Sequence, residues 1–309
     1  MKPAAKPCRV QLQKAAWITV DLFIFLLAVA TLVYIEFFAS NVKRGFFCGD
    51  KSISFKRQKD TISIKSVILF GLAPILFMWI AEFIFVDIDI DEGENSGLRC
   101  RLRKSWKKTL VWFKDYAVNL VFLLLMMDVT KVLVGEHRPH FLDTCRPDAA
   151  VNCTVGDFIT DYECTNKNVT PYNLRDVSRS FPSGHASISA YASLFMIWYL
   201  QCRLPKLKSM FLVPFIQMIL ALFVSLCSVS RVTNNRHHWT DVIGGIILGV
   251  VCAVHTCYVL TNNFNCENDK LKPIKSNVNG SSSNDSRRSV RRLLSTISSK
   301  EEFTLNNLE

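Results

Sequence analysis

The sequence predicts an all-α, polytopic membrane protein with six transmembrane helices, and three observations lead there. Half of the 309 residues are hydrophobic and the mean hydropathy is positive. The apolar residues are blocked into runs of roughly 20, long enough to cross a ~30 Å hydrocarbon core as helices, and are not spread at the period of an amphipathic helix or strand. The formal net charge of +11 is concentrated in segments that flank these runs, as expected where loop charge sorts topology.

The expected spans are 15–38, 66–86, 115–134, 185–202, 210–229 and 242–261. The first follows Lys2, Lys6, Arg9 and Lys14. It exceeds the roughly 7–15 apolar residues of a secretory signal and has no convincing cleavage site, so it reads as a retained anchor with a cytosolic N-terminus, residues 1–14. Six spans return the C-terminus to the cytosol, leaving residues 15–261 as the transmembrane domain. The tail, 262–309, is basic and Ser-rich and is expected to be disordered. The connections carrying Arg99 to Lys108 and Arg203 to Lys208 are basic, as cytosolic loops should be. The loop after the first span is basic too, but the inverted topology would expose the denser clusters.

In that first outer loop, Arg44 to Cys48 and Asp60 to Ser63 are turn-rich and offer no catalytic pairing, so they read as surface loop. Pro74 should kink the second span. The run Asp87 to Glu92 has the spacing of a magnesium-dependent phosphatase's nucleophile pair, but it follows a membrane helix where that chemistry needs a soluble α/β turn. It reads as an acidic loop. Asp128 and Lys131 interrupt the third span, and ionisable residues inside a span normally line a polar interior.

Lys131 and Arg138 are about two helical turns apart, so both cations can lean toward one anion before Pro139 ends the helix. The alternative is snorkelling to headgroups, which suits Arg138 better than the deeper Lys131, and Asp128 is placed to pair with that lysine. The long outer loop, 140–180, carries Cys145, Cys153 and Cys164, which with Cys48 make an even count of undetermined connectivity. It also holds glycosylation acceptor patterns at Asn152 and Asn168. Ser180 to His185 follows: Gly184 allows close backbone approach, Ser183 offers a hydroxyl, and the helix start directs its amides at an anion. A plain capped helix with an idle His185 is the alternative.

The polar stretch Ser230 to Asp241 lies between the last two runs. On a helix, His237 and Asp241 would share a face, so that Asp241 holds one ring nitrogen and leaves the other as a free lone pair, while His238 points elsewhere. The alternative is a solvated loop whose Asp241 caps the next helix. Gly244, Gly245 and Gly249 have small-xxx-small spacing that suits helix packing. The third span's end and the starts of the fourth and sixth all meet one membrane face, so these stretches form one cradle for a tetrahedral phosphate. No metal cluster, cofactor or nucleic-acid partner is expected.

These signatures, Lys131 with Arg138-Pro139, Pro182-Ser183-Gly184-His185, and Ser230-Arg231 with His237 and Asp241, resemble all three of the type 2 phosphatidic acid phosphatase superfamily. The Arg44 to Cys48 loop and His237-His238-Trp239 are similar to its animal lipid phosphate phosphatase branch, including Wunen-type proteins. The resemblance implies magnesium-independent hydrolysis of phosphatidate, lysophosphatidate, sphingosine 1-phosphate or ceramide 1-phosphate. It implies His237 as nucleophile, Asp241 as its orienting partner and His185 as proton donor, with Lys131, Arg138, Arg231, Ser183 and Gly184 on the phosphate. A lipid phosphotransferase, a sugar-phosphate phosphatase and a non-enzymatic lipid-phosphate binder or transporter are the alternatives. The expected location is the plasma membrane, endomembranes remaining open, with membrane lipids as partners and a homo-oligomer allowed.

Overall fold

The computed structural model describes residues 8–85, 98–203 and 211–264. The long helices are α1 (Cys8–Phe37), α2 (Ile64–Phe85), α3 (Leu98–Val134), α6 (Gly184–Arg203), α7 (Leu212–Thr233) and α8 (Trp239–Val254), the last continued by a π-helical segment, His255–Leu260. Between α1 and α2 lies the short strand β1 (Phe46–Phe47), and between α3 and α6 lie α4 (Phe141–Cys145), β2 (Phe158–Ile159) and α5 (Pro171–Asp176). The Asp87 to Glu92 run, Lys206, Lys208 and the tail from 265 lie outside the described residues.

Five helical stretches, Ala16–Phe37, Ile64–Ile84, Leu98–Val134, Leu212–Thr233 and Trp239–Leu260, are long and apolar enough to cross a membrane. The chain is an integral membrane protein. The third helix starts well before the expected residue 115, because the basic stretch from Arg99 to Lys108 is helical rather than loop. The helix of α2 runs through Pro74. The fourth expected span forms α6, which is of similar length but less apolar, and its setting explains why. It touches α2, α3, α7 and α8, and every residue from Ala186 to Ser193 is buried. A helix wrapped by protein needs small side chains for close approach, not an apolar face for lipid.

The glycines of α8 show how close that approach is. A Cβ on Gly245 would lie 2.5 Å from the Ser183 carbonyl oxygen, and one on Gly249 would lie 2.4 Å from that of Ser187. The small-xxx-small spacing does pack helices, backbone against backbone. Polar groups inside the bundle are paired across helices: Tyr116 donates to the Gly71 carbonyl (2.6 Å), Tyr191 to that of Tyr116 (2.8 Å) and Asn119 to that of Cys252 (2.7 Å). Near the other end of α6, Arg203 grips buried Glu82 through both carboxylate oxygens.

At the end of the bundle where α3 stops and α6 and α8 start, the loops fold into a cap. β1 pairs antiparallel with β2, and disulfides join Cys48 to Cys153 and Cys145 to Cys164. Phe46, Ile53, Phe141, Cys145 and Val177 form its small core. The Arg44 to Cys48 stretch, expected as plain surface, is thus a structural part of the cap. Arg179 ties the cap to the end of α1 by donating to the carbonyls of Ile35 and Ala39.

Gly249→Val should destabilise the detergent-solubilised protein by about 1–3 kcal/mol, the usual range for overpacking. Gly71→Ala, whose new methyl would meet only the Ile188 side chain at 3.3 Å, should be close to neutral. Thermal unfolding of the two variants distinguishes backbone contact from ordinary packing.

Candidate active site

Four helix ends bring the candidate residues together. Helix α3 ends at Val134 and Gly135 turns the chain at φ +59°. Arg138 therefore reaches the site from a loop and not from the helical face that its spacing to Lys131 suggested. Its backbone amide donates to the Val177 carbonyl (2.9 Å), and its guanidinium donates to the Asp176 carboxylate (2.6 Å) and carbonyl (2.9 Å). Lys131 pairs with Asp128 at 3.1 Å, as their proximity in sequence allowed.

Gly184 opens α6 directly beside this lysine: a Cβ there would meet the Met127 sulfur at 3.0 Å and Lys131 Nζ at 3.7 Å. The buried Ser183 hydroxyl and His185 Nε2 have no hydrogen-bond partner. Arg231, only 2% exposed, lies in the last turn of α7 and donates to Asp60 (3.1 Å) and to the Ile62 carbonyl (2.9 Å). Asp60 also accepts from Arg236 (2.9 Å). The Asp60 to Ser63 segment, expected to be surface loop, is a wall of the site. Asp60 and Asp176 were not found from sequence, because nothing in spacing or period links a loop carboxylate to a distant arginine.

The reading of His237 and Asp241 needs correction in one respect. Helix α8 starts at Trp239 with His238 as its N-cap, so His237 precedes the helix and shares no helical face with Asp241. The capping alternative is also realised. Asp241 Oδ2 accepts from the His238 backbone amide (2.8 Å) and from the buried Ser180 hydroxyl (2.5 Å). The same oxygen lies 3.6 Å from His237 Nδ1 and 3.5 Å from His238 Nδ1, so both rings face it at more than hydrogen-bond length. Spacing to Asp241 does not separate the two histidines.

Location does separate them. One cavity, of about 740 Å³, is lined by His237, His185, Lys131, Arg138, Arg231 and Arg236, and by the apolar Ile64, Ile68, Leu72, Leu120, Leu124 and Ile188. His238 is absent from that lining and faces only a second cavity, beneath the cap, which it lines with Phe46, Glu136 and Trp239 and which His237 lines as well. Burial, and then the nearby Arg138 charge, hold the His237 ring well below its usual pKa, to about 4, which leaves the imidazole neutral. His238 is raised, first by its contact with Asp241. Burial raises Glu136, with the Asp241 charge adding to it. Glu136, His238 and Asp241 each bring one atom within 4.8 Å of the others, a grouping that the expectation of no metal cluster did not foresee.

Phosphoryl transfer asks a protein for a nucleophile, a proton donor and charge to match the phosphate oxygens, with little covalent chemistry besides. A helical membrane bundle with histidines and cations around one cavity suits that demand, and the family it matches makes it a membrane-embedded phosphatase. The PAP2 superfamily matches residues 112–265. The chain is 34% identical to "Phospholipid phosphatase homolog 1.2 homolog" of Caenorhabditis elegans, covering 82% of this chain and 75% of the relative. It is 30% identical to "Phospholipid phosphatase 2" of Rattus norvegicus, covering 79% and 86%, and 29% identical to "Phospholipid phosphatase 1" of Mus musculus, covering 80% and 86%. No solved structure matches. The chain belongs to the PAP2 superfamily, in its animal lipid phosphate phosphatase branch.

His140 tests the electrostatics of this face without touching the proposed chemistry. Burial holds its pKa at about 4, and its ring contacts the Asn235 carbonyl. The unfolded chain therefore binds a proton that the folded chain refuses between pH 6.5 and 4, so this residue's contribution to stability is lost as pH falls through that window, by at most about 1.4 kcal/mol per pH unit. Unfolding measured across the window should show wild type losing stability relative to His140→Gln as pH falls. Parallel curves would exclude a depressed pKa.

Proposed function

We propose that the chain hydrolyses phosphate monoesters of membrane lipids, of the phosphatidate, lysophosphatidate, sphingosine 1-phosphate and ceramide 1-phosphate class, through a phosphohistidine on His237. The observation that carries this reading is the lining of the 740 Å³ cavity, which combines histidines and cations with an apolar set from α2, α3 and α6. A water-soluble sugar phosphate has no use for that apolar set, whereas an acyl chain does. The names of the relatives, phospholipid phosphatases among them, agree.

In this reading Asp241 orients His237 through Nδ1, and Nε2 bonds to phosphorus as the bond to the lipid oxygen breaks. His185 gives its proton to the departing alkoxide. Water then attacks the phosphohistidine and returns a proton to His185, while phosphate leaves and His237 is restored. Lys131, Arg138 and Arg231 balance charge on the phosphate oxygens, with the Ser183 hydroxyl and Gly184 amide as further donors. With side chains supplying the positive charge, no metal is required.

We further infer six crossings, with α6 among them, both termini in the cytosol and the site on the outer face of the plasma membrane. Two disulfides at the site's end of the bundle support this, since such bonds persist in oxidising compartments. So do the exposed Asn152 and Asn168 in the same cap, proposed as glycosylation sites, and the basic residues at the opposite end of α3.

Purified protein should release phosphate from these lipids in excess EDTA. Loss of activity that returns with magnesium would reject side-chain catalysis. His237→Ala should abolish turnover and the acid-labile phosphoenzyme, while His238→Ala keeps measurable activity. His185→Ala should lose roughly 100- to 10,000-fold, as expected for a missing general acid, and recover in part with an aryl phosphate whose leaving group needs no proton.

A further inference from the structure

Charge in the cavity is not distributed evenly. Lys131 and Arg138 each face a carboxylate of their own, Asp128 and Asp176. Arg231 and Arg236 share a single one: Asp60 gives Oδ1 to Arg231 at 3.1 Å and Oδ2 to Arg236 at 2.9 Å. This arginine pair therefore carries one positive charge more than the carboxylate it shares. The two arginines also differ in how fully they are satisfied. Arg231 donates in addition to the Ile62 carbonyl and the Ser230 hydroxyl. Arg236 is about nine-tenths buried, lines the same cavity, and has an Nε without any acceptor. A buried guanidinium donor left open is costly unless an anion completes it.

The backbone fixes where that open donor stands. Asn235 takes φ +55°, and the carbonyl of Arg231 accepts the amides of both Arg236 and His237, at 2.9 and 3.2 Å. Arg231, Arg236 and His237 are thereby locked around one tight turn. We propose that Arg236 is a further phosphate-binding residue of this site, and that Asp60, from the loop before α2, is a positioning residue that holds Arg231 and Arg236 side by side for two oxygens of the same phosphate. The inference rests on the phosphohydrolase reading above. Asp60 lies outside the segment 112–265 that matches the superfamily, so it extends the site to a separate part of the chain.

The test uses the full-length protein in detergent, with lysophosphatidate as substrate and inorganic phosphate as competing ligand. Arg236→Ala should raise both KM and the inhibition constant of phosphate roughly tenfold or more, the weight of one charge-assisted hydrogen bond, and change kcat less. Arg236→Lys should recover part of this. Asp60→Asn should raise the same two constants, and Asp60→Glu should restore them. In the wild-type protein, saturating phosphate should protect Arg236 from phenylglyoxal, read by peptide mass spectrometry, which needs no variant to fold. KM and phosphate inhibition within twofold of wild type in Arg236→Ala and Asp60→Asn, or labelling of Arg236 that ignores phosphate, would overturn the proposal while leaving the phosphatase reading intact. An active His237→Ala would instead remove the reading on which it rests.

Discussion

Positive charge held at the end of an apolar bundle has to be neutralised where it stands, and this end of the bundle is built around that requirement. An isolated buried cation costs several kcal/mol, so Lys131 and Arg138 each face a carboxylate of their own and Arg231 and Arg236 share Asp60. The carboxylates come from three different places: Asp128 from α3 itself, Asp176 from α5 in the long connection between α3 and α6, and Asp60 from the loop before α2. Two loops are therefore drawn onto the site by the counter-charges they carry. The cap that joins them, with β1 on β2 and two disulfides, keeps those carboxylates in register with helix ends they do not belong to.

This division of labour decides what could be read from the sequence. Lys131, Gly184, His185, Arg231 and Asp241 were legible because each sits at the end of an apolar run, and membrane helices must deliver their ends to a common face. Asp60 and Asp176 were not. Asp60 lies 171 positions from Arg231, and no periodicity connects a loop residue to a partner at that distance. The fourth apolar run was expected as a span and forms helix α6, but its serines make sense only once it is seen enclosed by four neighbours. The boundary of α8 was the harder failure. Histidine is a poor N-cap by preference, so nothing marked Trp239 as the first helical residue. The expected span began at Val242, three residues after the helix does, and placing His237 and Asp241 on one helix put the histidine on a face it does not occupy.

That boundary bears on how the site holds its shape. Asp241 closes the first turn of α8 and faces the histidines with the same oxygen, Oδ2, while its other oxygen has no partner. A carboxylate engaged only with an imidazole could swing with it, whereas one that also accepts a helix amide and the Ser180 hydroxyl is fixed to the fold. Its own carbonyl accepts the Ser183 amide at 2.9 Å, which binds the start of α8 to the start of α6. The bare backbone at Gly245 permits that contact, so the glycine packing of the bundle and the geometry around His237 are one constraint. It follows that replacing Asp241 frays a helix and unpairs Ser180 together. His237 is different: among the described residues its buried Nδ1 has no hydrogen-bond partner, so its removal carries little structural cost.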